Sequence, residues 1–199
     1  MLDWIKNINK EYPQFWKDYI TKFNHKSSRY VVLRVESTGL NTTQDVILSF
    51  AAISVIDNKI IISDSFETVL LQYKYLHDNG LSIESIIESK LPKLSEYDAL
   101  QKFVEYIGNA VLVGHRIHFE VDMINEVLEK MDCNRLKNEA LDIEIMHAKL
   151  NDITEKPFPL EDLCTIYKVP QPETNSSSEE AYTIALLFLK LKSRLGLTF

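Results

Sequence analysis

Hydrophobic positions follow two rhythms along this chain. Near the start, Trp4, Ile5 and Ile8, then Phe15, Trp16, Tyr19, Ile20 and Phe23, recur every three or four residues. That spacing predicts one or two short amphipathic helices over residues 1–24, with Pro13 placed to open the second. Such a segment either packs on its own domain as an appendage or docks on a partner, because aromatic anchors at this spacing suit a helix laid in a groove. After a polar break at residues 25–29 the rhythm changes. Residues 30–36 (YVVLRVE) are rich in β-branched side chains and predict a strand. Residues 46–56 and 59–71 predict two more, joined at Asp57-Asn58, a dipeptide suited to a tight hairpin turn.

Further along, residues 81–90, 95–108, 119–131, 160–167 and 179–194 carry helical patterns, the last with Ala181, Ile184, Leu187, Phe188 and Leu191 on one face. A short apolar run at 111–113, ending at Gly114-His115, predicts a strand, and Leu141-Asp142-Ile143 predicts a further one. A hairpin followed by alternating strands and helices predicts an α/β domain with a mixed central sheet flanked by helices. We place a helical extension over residues 1–28 and the α/β domain over 29–199. No internal repeat is visible, and the low-complexity content is limited to Ser176-Ser177-Ser178.

Charge narrows the set of partners. Asp and Glu outnumber Lys and Arg by 29 to 22, a net charge of −7, so the global field does not attract a phosphate backbone and any nucleic acid needs a local basic patch. Cys133 and Cys164 have no neighbours at zinc spacing, which argues against a disulfide framework or structural zinc and for inert core thiols in a reducing compartment. No uninterrupted apolar run approaches the ~18 residues of a membrane span, and the N-terminal residues lack a secretory core. The expectation is a cytoplasmic protein with no membrane partner.

Three segments carry candidate chemistry: VVLRVESTGL at 31–40, LVGHRIHFEVDM at 112–123 and NSSSEEAYTIALLFLKL at 175–191, with Leu141-Asp142 and PLEDLC at 159–164 between the last two. In this order and separation they resemble the DEDDh (DnaQ-like) 3′–5′ exonucleases, the family of the epsilon proofreading subunit of bacterial DNA polymerase III. The resemblance runs from about residue 30 to 192, and three motifs in their expected contexts are far more specific than one. It implies a ribonuclease H-like fold and two-metal phosphodiester hydrolysis. In that chemistry four carboxylates hold two Mg²⁺ or Mn²⁺ ions ~4 Å apart and a histidine acts on the attacking water.

Carried over residue by residue, the resemblance gives an altered site. Glu36, Glu120 and Glu180 fall at three acid positions and are the set that would hold a metal. Arg34 falls where the family has the acid that bridges both ions. Asn175 falls at the general-base histidine and Ser177 at the usual alanine. Ser37, Thr38, Gly39 and Leu40 match the nucleotide-binding turn, and His115 and Arg116 follow the glycine of the second motif. Arg34 shares a strand face with Glu36, because side chains alternate with period two. A guanidinium buried there without a partner is costly, so we expect it to pair with Glu36 and with at least one of Glu120 and Glu180, in place of a bound metal. Glutamate in place of aspartate displaces a carboxylate by about 1.5 Å, and Asn175 cannot exchange a proton near pH 7. Of the other candidates, His115 reads as a satisfied core histidine, His118 as exposed, and Asp122 as solvated on another helix face. Glu179 beside Glu180 suits a helix N-terminus. Arg29, Arg34 and Arg116 are the basic residues expected near the cleft.

Two functions follow. One is a catalytically impaired or inactive domain that binds a nucleic-acid 3′ end, a nucleoside monophosphate or a protein, with no bound cofactor. The other is an active exonuclease of single-stranded DNA or RNA ends using Mg²⁺ or Mn²⁺ on an atypical carboxylate set. A purely structural paralogue of an active enzyme is a third reading.

Overall fold

The computed structural model describes residues 11–72, 90–154, 157–173 and 176–197. Trp4, Ile5 and Ile8, the helix expected at 81–90 except Lys90, and Asn175 lie outside the described residues. Among the described residues, six strands form one sheet: β1 (Tyr30–Ser37), β2 (Ile47–Ile56), β3 (Lys59–Leu70), β4 (Lys93–Leu94), β5 (Val111–Gly114) and β6 (Ala140–Asp142), in the order β4-β3-β2-β1-β5-β6. β1, β2 and β3 run antiparallel in succession, whereas β5 and β6 continue the sheet parallel to β1. The mixed sheet expected from the sequence is the one observed.

Helices cover both faces, which explains why the central strands read as nearly continuous apolar runs. On one face α1 (Gln14–Thr21), α2 (Glu96–Ile107) and α3 (Ile117–Lys130) enclose Val31, Leu33, Val35 and a stacked Phe50–Phe103 pair with centroids 4.6 Å apart. On the other, α4 (Ile143–Leu150), α5 (Leu160–Tyr167) and α6 (Ser177–Arg194) enclose Tyr30, Val32, Val113 and Phe188. Arg34 and Glu36 have the parity of Tyr30 and Val32, so the apolar run on that second face breaks at the C-terminal end of β1. The β2–β3 hairpin closes at Asp57 and Asn58, both left-handed with φ of 50° and 58°, as a primed two-residue turn requires.

The N-terminal segment resolves one open alternative. Phe15, Trp16 and Tyr19 of α1 are buried in the same core as Leu33 and Phe103. The Tyr19 hydroxyl donates to Asn138 Oδ1 at 2.7 Å and accepts from the Lys137 amide at 2.8 Å. Burial pushes this phenol well above its ordinary pKa. Phe15, Trp16 and Tyr19 are used inside the molecule, so the described part of the segment is a packed appendage, and nothing supports a partner on these aromatics.

The strand expected over 141–143 is also corrected. It ends at Asp142, and Ile143 opens α4. The cause is the Asp142 carboxylate, which accepts from Glu144 N at 2.9 Å and from Ile117 N at 3.1 Å, capping α4 and α3 together. Among the described residues, no helix is long and apolar enough to cross a membrane.

Candidate active site

The C-terminal ends of β1 and β5 open into a cleft of about 680 Å³, the side on which open α/β sheets take ligands. Arg34, Glu36, Ser37, Gly39, Leu40, His115, Arg116, Glu120 and Glu180 all line it, so residues from three separate motifs meet at one place.

Arg34 stands at its centre. Its Nε donates to Glu180 Oε2 at 2.5 Å and its Nη1 to Glu120 Oε1 at 3.1 Å, so β1 is tied to α6 and α3 through one guanidinium. Glu120 is 1% exposed, and its Oε1 also accepts from the Val35 amide at 3.3 Å. Its Oε2 is buried with no hydrogen-bond partner among the described residues. Gly114 makes room for it: a Cβ at that position would lie 3.0 Å from this oxygen and 2.8 Å from Ile117 Cδ1.

Burial pushes the Glu120 carboxyl up to about 8, against the opposing pull of Arg34 and the Val35 amide. Burial alone would draw Arg34 down, but the charges of Glu120 and Glu180 more than offset this and its pKa rises. Arg34 is the fixed charge of the cluster, and burial favours the neutral form of Glu120.

Glu36 does not pair with Arg34, which corrects that expectation. Its Oε2 accepts from Ser49 Oγ at 2.9 Å, and Ser49 Oγ lies 3.2 Å from Ser177 Oγ. Ser49 is the cross-strand partner of Glu36, and the register shifts between Glu36 and Ser37, so the shorter contact lies across the sheet. Arg34 faces Ala51, too small to hold it, and reaches the helices instead. A pair of divalent ions does not fit this donor set, because a guanidinium holds two of its three carboxylates. Among the described residues, no group of three or more His, Cys, Asp or Glu side chains is placed to hold a metal.

The turn after β1 is built by its own side chains. Ser37 Oγ donates to Gly39 O at 2.7 Å and Thr38 Oγ1 to Asp45 Oδ1 at 2.8 Å, while the Asn41 amide donates to Asp45 Oδ2 at 2.8 Å. A Cβ on Gly39 would lie 2.6 Å from Asp45 Oδ2, so the glycine is what lets the carboxylate close the turn. Leu40 at its tip is 86% exposed and, with half-buried Phe119, gives the cleft an apolar rim.

On the opposite wall His115 Nε2 donates to Phe158 O at 2.7 Å, as a satisfied histidine should. Arg116, left-handed at φ 60°, begins α3 and points an exposed guanidinium to Glu144 Oε2 at 3.4 Å. Glu144 also accepts from the Phe158 amide. Three secondary expectations resolve differently. His118 is exposed, as read. Asp122 is half-exposed but ion-paired with Arg135, not merely solvated. Arg29 is not a cleft residue: it precedes β1, at the far end from Glu36, and holds Asp64, Ser54 and the Tyr106 carbonyl. The sequence reading passed over Asp45, Ser49 and Glu144. Asp45 was recoverable from the polar loop at 41–45, where Asp and Asn bond nearby backbone; the other two are assembled by tertiary contacts and leave no local signal.

With this geometry in view, comparison with known proteins is informative. The sequence profile of the exonuclease family matches residues 31–178, most of the chain. Among curated proteins, the chain is similar to the PolC-type DNA polymerase III of Latilactobacillus sakei, 26% identical over 168 residues, covering 84% of this chain and 11% of that protein. The corresponding protein of Caldanaerobacter subterraneus is 28% identical over 170 residues, with 83% and 12% covered. The chain thus spans about a tenth of the length of these relatives. Among solved structures, E. coli exonuclease I in complex with a dT13 oligonucleotide superposes with a TM-score of 0.67 at 13% identity, covering 85% of this chain and 42% of that one. Exonuclease X in complex with 5′ overhanging duplex DNA gives 0.56 at 17% identity, covering 85% and 94%. These likenesses show the ribonuclease H-like exonuclease fold, and together with the profile match they establish that the chain belongs to the DnaQ-like exonuclease family.

Proposed function

We propose that this chain is a catalytically silent member of its family that binds a nucleic-acid 3′ end, or the nucleoside monophosphate that resembles one, without hydrolysing it. The observation that carries the reading is the pairing of Arg34 with Glu120 and Glu180. At 4 Å a unit positive charge opposes a divalent ion by roughly 8 kcal/mol at an effective dielectric of 20, an upper-end figure before relaxation. The lost attraction of the missing carboxylate adds to that. An active site with one metal on Glu36, Glu120 and Glu180 would first have to free two of these carboxylates from Arg34.

The binding half of the proposal rests on the turn at Ser37–Leu40 and the apolar rim of Leu40 and Phe119. Glu36, Glu161 and Glu180 outnumber Arg34 and Arg116 in the cleft, so its lining does not attract phosphate. Affinity then depends on base contact more than on phosphate, and falls in the millimolar range, about −4 kcal/mol. Two structural neighbours solved with DNA, exonuclease I and exonuclease X, support nucleic acid as the ligand class.

The test is a nuclease assay on purified protein with Mn²⁺ and labelled single-stranded DNA. No nucleotide release is expected. Manganese-dependent release that Glu36→Ala abolishes would overturn the proposal. In the converse experiment, Arg34→Asp combined with Glu120→Asp, Glu180→Asp and Asn175→His is expected to gain calorimetrically detectable Mn²⁺ binding.

A further inference from the structure

We infer that a second groove, on the flank of α6 turned away from Glu180, docks a basic peptide segment of a partner protein through an apolar anchor. The groove, about 400 Å³, lies between α6, β3 and residues 170–173. On α6, Tyr182 and Leu186 sit four residues apart and form one stripe, roughly opposite the Glu180 and Ile184 stripe that lines the cleft. Ile53 and Ile62 supply the sheet side, and Pro170 and Pro172 stiffen the third wall. Ile62 is 71% exposed and Tyr182 41%, so two large apolar side chains stand open to water at one place.

Charge selects the occupant. Among the described residues, the charged side chains lining the groove are Glu67, Glu173 and Glu179, with no Lys, Arg or His. An acidic rim repels a phosphate backbone, so the groove is not an extension of a nucleic-acid path. A second copy of this chain, itself carrying −7, would bring acid against acid. A peptide that seats Leu, Ile or an aromatic side chain between the prolines and Tyr182, with Lys or Arg on either side, satisfies both the apolar floor and the acidic rim. The sheet adds main-chain contacts. β4 pairs with β3 at Val69 and Leu70 alone, so the outer edge of β3 before Val69 has no strand partner among the described residues. The register of β3 on β2 breaks between Ile61 and Ser65, so the stretch of that edge open to an extended segment by strand addition is residues 65–68.

The test is a selection of random peptides of about 12 residues, displayed on phage, against the full chain at low salt. The expected winners combine Lys or Arg with a large apolar residue. A synthetic winner should lose at least about tenfold in affinity on Ile62→Asp and on Tyr182→Ala, both exposed positions that leave the fold intact by circular dichroism. Glu67→Lys should weaken it too, as should raising salt from about 50 to about 500 mM. Failure to enrich any peptide, enrichment of acidic peptides, or binding indifferent to Ile62→Asp and Tyr182→Ala would overturn the inference. So would displacement of the peptide by an oligothymidylate, or a wild-type dimer in light scattering that Ile62→Asp dissolves. Nuclease activity is not read, so the result is independent of whether the Arg34 cleft is silent.

Discussion

Replacing Glu120 by glutamine isolates the energetics of the Arg34 cluster. Glu120 is fully buried, and its folded-state pKa of about 8 stands above the ordinary 4.5. Between these values the folded protein holds a proton that the unfolded chain has released. Stability therefore falls as pH rises through pH 4.5–8, and the loss is complete above about pH 8. The gap corresponds to about 5 kcal/mol at the upper end, which water penetration and relaxation reduce. Glu120→Gln keeps the shape and the Oε1 acceptor for Arg34 and Val35 but cannot ionise. At about pH 5 the variant should be the less stable by roughly 1–2 kcal/mol, because its amide N–H₂ takes the place of the unpartnered Oε2. At about pH 8.5 it should be the more stable. Urea unfolding of both proteins at several pH values measures this, and subtraction cancels every other titrating group. A difference that stays flat to within about 0.5 kcal/mol across that range would refute the argument that burial outweighs Arg34 at this carboxyl.

Three further outcomes follow from particular contacts. Trp16→Ala should cost about 3–5 kcal/mol in urea unfolding, since Trp16 is 1% exposed; unchanged melting would remove α1 from the core. Asp142→Ala should cost about 2 kcal/mol, roughly one for each helix it caps, and Asp142→Asn should recover about half; a cost below that of a single cap would refute the double role. Gly39→Ala should displace Asp45 from Thr38 and Asn41, costing about 1–3 kcal/mol. If the proposed binding holds, a deoxynucleoside monophosphate should shift the Thr38 amide signal of the wild type and not that of the variant, and an equal shift in both would show that the turn does not shape the site.

The sequence disclosed the parts of the molecule governed by short-range rules. β1, β2, β3 and α5 followed from β-branched runs, helical spacing and Asp57-Asn58, because each is decided by a few neighbouring residues. The cleft was legible as a set of positions, since three motifs at the ends of strands and helices converge in this fold. What was not legible depended on distance in the fold. Side-chain parity puts Arg34 and Glu36 on one face, yet parity says nothing about whether Ser49 or Arg34 reaches Glu36 first. Arg29 looked close to the site in sequence, but five residues of extended chain at about 3.3 Å each put it at the opposite end of β1 from Arg34. The apolar stretch at 141–143 reads equally well as strand or helix start, and the choice is made by Asp142, whose second bond goes to Ile117 on another element.

The left-handed pair at Asp57 and Asn58 also has a kinetic consequence. It closes β2 on β3 over two residues, so the search entropy of that pairing is near its minimum, and hairpins of this kind form in roughly 1–10 μs. The pairing of β1 with β5 joins Tyr30 to Val111 and must wait for the chain between them to be gathered in. The cleft cannot be complete before that second event, because β1 lines one side and His115 and Arg116, which follow β5, line another. Asn58→Gly, which relaxes the second left-handed position further, should therefore speed refolding while leaving the unfolding rate nearly unchanged. An effect confined to unfolding would place the hairpin late. If refolding responds, two residues far from the cleft govern how soon a newly made chain acquires it.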